Sequence, residues 1–291
     1  MGQATRVFEE TARPVTERML AQLAPAPGET ILELAAGTGV VGFAAARIVE
    51  PDGRVVLSDF SEAMVEAAGR RATELGLGNV ECRILDAERL DLPAGAVDGV
   101  PCRWGYMLMG DPAAALAETH HVVRPGGRLS CAVFGDPARN PWVALPSRVL
   151  RDRGHMPPAA AGAPGILALA DEGRLRGLVE RAGFSAIAAE EVEFAWRLPT
   201  ARTTGSSCAT PRARSRWCGA RGRRAAQRAR GHRGARGVVH RERRDRAPGM
   251  CIVLAATAGP APAGYPMWKV SVWPSTAIAW PVTMRAASDA R

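Results

Sequence analysis

The 291-residue chain is 47% apolar and 23% charged with only 5% aromatic residues, a globular composition that excludes fibrous and collagen-like architectures. No uncharged apolar stretch is long enough to span a bilayer, and the N-terminus carries Arg6, Glu9, Glu10, Arg13, Glu17 and Arg18, so neither a membrane span nor a signal peptide is expected and a cytoplasmic protein is. The net charge of +9 points to nucleic acid until it is divided along the chain: residues 1–200 carry 20 arginines against 26 acidic residues, whereas residues 201–250 carry 15 arginines against Glu242 and Asp245.

The first predicted element is a helix from Thr5 to Leu23, within an N-terminal segment, 1–28, that could cover a site. From Glu29 to about Leu198 short apolar runs alternate with helical periodicity, the order of a parallel sheet covered by helices. Strands are predicted at Thr30 to Leu34, Arg54 to Ser58, Val80 to Leu85, Val97 to Cys102 and Arg128 to Phe134. A helix after Gly39 uses Val40, Phe43, Ala44 and Ile48, and one capped by Ser61 uses Met64, Ala68 and Leu75. A third uses Leu116, Thr119 and Val123 and stops at Pro125-Gly126-Gly127; a fourth runs from a cap at Asp171 to Gly183. Phe184 to Leu198 and Met250 to Ala256 supply a sixth and a seventh strand. The core is thus assigned to residues 29–199 and completed by a final strand within 250–258.

Residues 201–249 break this pattern, holding no Leu, Ile, Met, Phe or Tyr. Such a stretch buries too little surface to offset its ordering entropy, so poor packing is expected. Two readings of residues 200–249 compete. One is an arginine-rich nucleic-acid arm, suggested by Arg221-Gly222-Arg223-Arg224 and Arg233 to Arg236. The other is a local reading-frame error, because the chain has 37 arginines and a single lysine, as a GC-rich gene would encode, and such DNA read out of frame yields mainly Arg, Ala, Gly and Pro. The tail 259–291, with Trp268, Trp273 and Trp280, has no assigned role. The six cysteines form no C-x-x-C pair, so free thiols are expected, and neither disulfides nor a metal.

The strongest chemical signal is Ile31-Leu32-Glu33-Leu34-Ala35-Ala36-Gly37-Thr38-Gly39-Val40, an apolar strand entering a glycine turn that opens a helix. Small residues let the backbone approach a ligand there, and the helix start offers free N–H groups. Gly37, Gly39 and Gly42 also satisfy G-x-G-x-x-G, which alone allows an NAD(P)-dependent dehydrogenase. Glu33 argues otherwise: a carboxylate beside the turn repels a pyrophosphate and suits a cationic ligand. Asp59, just past the second strand, can accept both hydroxyls of a ribose.

In these residues the chain resembles the class I S-adenosylmethionine-dependent methyltransferases, of the group similar to ubiquinone and menaquinone biosynthesis methyltransferases. Glu33-Leu-Ala-Ala-Gly-Thr-Gly39 resembles the family's first motif and implies Glu33, Gly37, Thr38 and Gly39 as cofactor contacts, with Ala35 where many members have glycine. Ser58-Asp59-Phe60-Ser61 with Met64 resembles the second, implying Asp59 on the ribose and Phe60 or Met64 near the adenine. Leu85-Asp86-Ala87 resembles the third, implying Asp86 and the Ala87 N–H on the adenine. Cys102-Arg103-Trp104-Gly105 resembles the segment after the fourth strand, placing Arg103 close to the sulfonium, and Arg124-Pro-Gly-Gly127 resembles the turn into the fifth.

The resemblance implies a Rossmann-like, doubly wound α/β fold whose seven-stranded sheet is mostly parallel with its last strand antiparallel. It also implies S-adenosyl-L-methionine as cofactor and in-line methyl transfer to a small-molecule acceptor, with an RNA-modifying or RNA-binding role through the arginine-rich segment as the alternative. Competing structural roles stand beside these: Asp86 can cap the next turn, Met64 and Phe60 can be core, and Arg103 can pair with a surface carboxylate. His120 and His121 are expected behind the sheet. His155, in a proline-rich segment that could form part of a substrate cover, is the one histidine considered as a general base.

Overall fold

A computed structural model of the chain describes residues 3–157, 160, 162–197 and 246–260. In chain order the regular elements are α1 (Gln3–Leu23), β1 (Thr30–Glu33), α2 (Val40–Val49), β2 (Arg54–Asp59), α3 (Glu62–Glu74), β3 (Val80–Ile84), β4 (Val97–Arg103), α4 (Pro112–Val122), β5 (Val123–Phe134), α5 (Pro141–Asp152), α6 (Glu172–Arg181), β6 (Phe184–Arg197) and β7 (Arg246–Ala258). The strands form one sheet in the order β3-β2-β1-β4-β5-β7-β6. β1 to β5 pair in parallel, and β7 runs antiparallel to both its neighbours. This is the doubly wound, mostly parallel sheet expected, with its last strand reversed.

Alternation along the central strands explains why helices cover both faces. Ile31, Val55 and Leu57 pack with Phe43, Ala45, Ala46 and Val49 of α2 and with Ala68 and Ala72 of α3. Leu32, Leu34 and Val56 face the other way, into the larger core shared with Leu116 of α4 and Leu175 and Val179 of α6. The chain leaves β1 toward β2 and β3 on one side and toward β4 and β5 on the other. The resulting crevice between β1 and β4, at the strands' C-terminal ends, is where α/β sheets hold ligands.

Several local expectations need correction. The buried face of α2 is Val41, Phe43, Ala45, Ala46 and Val49, while Ile48 lies exposed, because Gly42 lets the helix roll close onto β2. Ser61 sits at the N-terminus of α3 without a side-chain cap, and Leu75 lies beyond the helix end. α4 stops at Val122: Val123 already pairs with Val97, and Pro125-Gly126-Gly127 bulges out before Arg128 resumes pairing at Gly99. Strand β7 begins at Arg246, four residues ahead of the predicted start, with Arg246 to Gly249 paired to Arg197 to Phe194. The rest of the arginine-rich segment and nearly all of the 259–291 tail lie outside the described residues.

Candidate active site

Glu33 ends β1 and is 2% exposed. Its carboxylate does not face open solvent; it accepts the N–H of Gly42, in the first turn of α2, at 2.7 Å. Gly42 is required by this contact, since a Cβ there would lie 2.6 Å from Glu33 Oε2 and 2.1 Å from Leu57 Cδ2. Burial pushes the Glu33 carboxyl up to about 7, against the opposing pull of the Arg103 guanidinium and of the Gly42 and Val41 N–H groups. A proton at Glu33 is therefore exchangeable near neutrality.

The turn between β1 and α2 is bound to the end of β2. Asp59, 8% exposed, accepts the Gly37 N–H at 2.9 Å through Oδ2 and the Ser61 N–H at 3.0 Å through Oδ1. Gly37 has φ +54°, and nothing stands within 4 Å of where its Cβ would be, so this side of the turn is open. Ala35 also holds a left-handed backbone, φ 49°, where an L-residue is strained. Arg71 of α3 closes the far side by donating to the Thr38 carbonyl at 3.3 Å and to both Glu9 oxygens, at 2.5 and 2.9 Å, which ties α1 to the turn.

Beyond Asp59 the strand ends present apolar surface to water. Phe60 is 80% exposed, Met64 of α3 is exposed, and Ile84, paired with Asp59 across the sheet, is exposed as well. Phe60 and Met64 are therefore not core residues. Asp86 is exposed and accepts the Glu88 N–H at 2.9 Å, so it does cap its turn, while the adjacent Ala87 packs partly against the core. Sequence reasoning missed Ile84, because only the register of β3 on β2 brings it beside Asp59.

At the end of β4, Trp104 has φ 62°, an outlier for a bulky residue, and is pinned by its indole N–H on Cys251 Sγ at 3.1 Å and by stacking on Phe134 at 4.9 Å. Phe8 of α1, Phe194 and Trp196 of β6 and Trp142 of α5 extend this into one cluster of rings, in which Trp104, Phe134 and Phe194 are buried core and Phe8 is exposed. The Arg103 guanidinium lies 5.0 Å from the Trp104 ring and 5.9 Å from Phe8, and donates to Thr16 Oγ1 of α1 at 2.6 Å. Trp104 lies in the Cys102–Gly105 motif and Trp142 in Asn140-Pro141-Trp142, but none of these rings was given a role from sequence. They are scattered from Phe8 to Trp196, and no local spacing signals that they meet.

The chain was compared with known proteins. Residues 31–127 match the family model described as a methyltransferase domain. The nocamycin O-methyltransferase of Saccharothrix syringae is 37% identical over 141 residues, 48% of this chain and 50% of that relative. A ubiquinone/menaquinone biosynthesis C-methyltransferase of Teredinibacter turnerae is 31% identical over 169 residues, 55% of this chain and 68% of that relative. The chain belongs to the class I S-adenosylmethionine-dependent methyltransferases. It spans about half the length of the first of these relatives. A methyltransferase structure from Aquifex aeolicus aligns with TM-score 0.52 at 16% identity over 89% of this chain and 100% of that one, and the [4+2]-cyclase SpnF aligns with TM-score 0.55 at 20% identity over 86% and 82%. These two likenesses concern the fold alone.

The methyltransferase family uses S-adenosylmethionine, and the residues present fit it. The open side of Gly37 leaves room beside the turn, carboxylates at Glu33 and Asp59 suit a cationic ligand with hydroxyls, and the exposed Phe60, Met64 and Ile84 offer an uncovered apolar surface to a purine. Family membership sets aside the dehydrogenase reading of Gly37, Gly39 and Gly42. His120 is buried edge-on against Phe184 at 5.0 Å, and its pKa is lowered by burial. His155 is exposed beyond the end of α5, its backbone N–H bonded to the Leu150 carbonyl. The four described cysteines, Cys82, Cys102, Cys131 and Cys251, are free thiols, and no described helix is long and apolar enough to cross a membrane.

Proposed function

We propose that the chain transfers the methyl group of S-adenosylmethionine to a small-molecule acceptor with a flat apolar body, in the cytoplasm. The observation that carries this reading is the ring cluster at the C-terminal ends of β4, β5 and β6, whose core members Trp104, Phe134 and Phe194 are buried and whose member Phe8 of α1 is 40% exposed. The names of the two curated relatives, each a methyltransferase acting in small-molecule biosynthesis, support it.

Bound in this cleft, S-adenosylmethionine supplies a methyl on a positively charged sulfur, a carbon already activated for in-line attack. The Gly37-Thr38-Gly39 turn and Glu33 hold the amino-acid end, Asp59 orients the ribose, and Phe60, Met64, Ile84, Asp86 and Ala87 receive the adenine. Phe8, the exposed edge of the ring cluster, would cover the acceptor from water. Alignment of this kind is worth roughly 7 to 11 kcal/mol of barrier in favourable cases, so no protein nucleophile is needed.

Calorimetric titration with S-adenosylmethionine and S-adenosylhomocysteine tests the reading, with Asp59→Ala as control. Saturable binding weakened by about tenfold or more in the variant is expected, because the variant loses both the ribose acceptor and the Gly37 anchor. A folded chain that binds neither compound would refute the proposal.

A further inference from the structure

Arg103 is the one site residue whose charge runs against the role that family resemblance gives it. Its guanidinium is largely buried, and among the described residues it makes a single side-chain hydrogen bond, to Thr16, and no ion pair. Glu33 and Glu9 act on it only at a distance, and its central carbon lies over the rings of Trp104 and Phe8. Most of the five guanidinium N–H donors have no protein acceptor, and none of these is a fully buried atom, so they stay open to a ligand. Aimed at a sulfonium, the group would add repulsion between like charges in a medium that screens poorly. The group instead stands at the C-terminal end of β4, next to the exposed Phe8 of α1.

We infer that Arg103 holds the acceptor: its guanidinium takes the negatively charged oxygen of a planar conjugated acid, a phenolate, enolate or arene carboxylate, whose body lies against the exposed Phe8. This rests on the small-molecule methyltransferase reading. Guanidinium forks bind such oxygens with charge-assisted hydrogen bonds, and stacked rings bind the conjugated plane. The acceptor gives up its proton to solvent on binding. Its lone pair forms the new bond to the methyl carbon as the carbon–sulfur bond breaks toward sulfur, so one negative and one positive charge vanish together and no proton moves in the step.

The test uses the full chain saturated with S-adenosylhomocysteine and three probes of one shape: para-nitrophenol, para-nitrobenzoate and the neutral para-nitroanisole. The ionised probes should bind about tenfold or more tightly than the anisole, the yield of one charge-assisted hydrogen bond. Bound nitrophenol should ionise at lower pH than free, read from nitrophenolate absorbance. Preference for nitrophenol over nitrobenzoate marks a phenol or enol acceptor, the reverse a carboxylate. Arg103→Met should erase the preference and Arg103→Lys retain part of it, with S-adenosylhomocysteine affinity changed less than about twofold in both. If Arg103→Met does not fold, Arg103→Gln carries the same comparison. The inference is overturned if native chain shows no preference for anions or binds none of the probes, or if the variants weaken S-adenosylhomocysteine instead. Failure of the native chain to bind S-adenosylhomocysteine at all would sink the methyltransferase reading, and this inference with it.

Discussion

The carboxylate of Glu33 and the backbone N–H of Gly42 meet at 2.7 Å across the junction of β1 and α2, and the contact exists only because residue 42 has no side chain. A glycine that looks like the third member of a dinucleotide fingerprint instead seats a buried acid beneath the cofactor turn. Substituting it presses a methyl into Leu57 and the carboxylate at once. Gly42→Ala should destabilise the fold by about 1–3 kcal/mol, the usual cost of overpacking, and weaken S-adenosylmethionine binding in parallel, as measured by thermal unfolding and calorimetry. Unchanged stability with unchanged affinity would show that α2 can slide away without cost.

The raised pKa of Glu33 makes a pH prediction. The folded state keeps this proton up to about 7, whereas an unfolded glutamate releases it near 4.5. Between those values the native state binds more protons, so this group's contribution to stability is complete below the lower value and is lost as pH rises through the upper one. Glu33→Gln should therefore show a flatter stability profile from pH 4.5 to 7 than the native chain. A cationic cofactor favours the ionised acid, so native affinity for S-adenosylmethionine should rise through the top of that window, and the variant's should not. Parallel profiles for both proteins would remove Glu33 from the linkage.

Arg71 joins three elements: α3, the Thr38 carbonyl of the cofactor turn and Glu9 of α1. Both partners of the ion pair are mostly shielded, so the bidentate bond counts for more than a surface pair. Arg71→Met should loosen α1, seen as faster amide hydrogen exchange from Phe8 through Leu20 at an overall stability loss of roughly 1–3 kcal/mol. Protection confined to its native level would mean that the ring contacts of Phe8 alone hold the helix.

Residues 200–249 carry a prediction that needs no protein. If this stretch is read from the wrong frame, one of the other two frames of its coding DNA should encode an amphipathic helix between the sixth and seventh strands. Absence of such a helix in both frames would leave the arginine-rich sequence as the genuine one. RNA affinity with a steep salt dependence, lost on deleting 201–249, would then be the measurement that matters.

Much of the architecture was present in the order of residues alone. The strands predicted to end at Leu34 and Ser58 and the glycine turn follow from short-range signals, because apolar alternation and backbone freedom act within ten residues or so, whereas the reversed last strand was implied by the family resemblance. Boundaries shifted where a pairing partner took over, as at Val123 and Arg246. What only the tertiary structure decided is which side chains meet. Sheet order placed Arg103 between Glu33 and α1, register put Ile84 beside Asp59, and β6 and β7 carried Phe194, Trp196 and Cys251 to Trp104. Contacts between residues so far apart in sequence depend on how the whole sheet is assembled, and no local pattern encodes that.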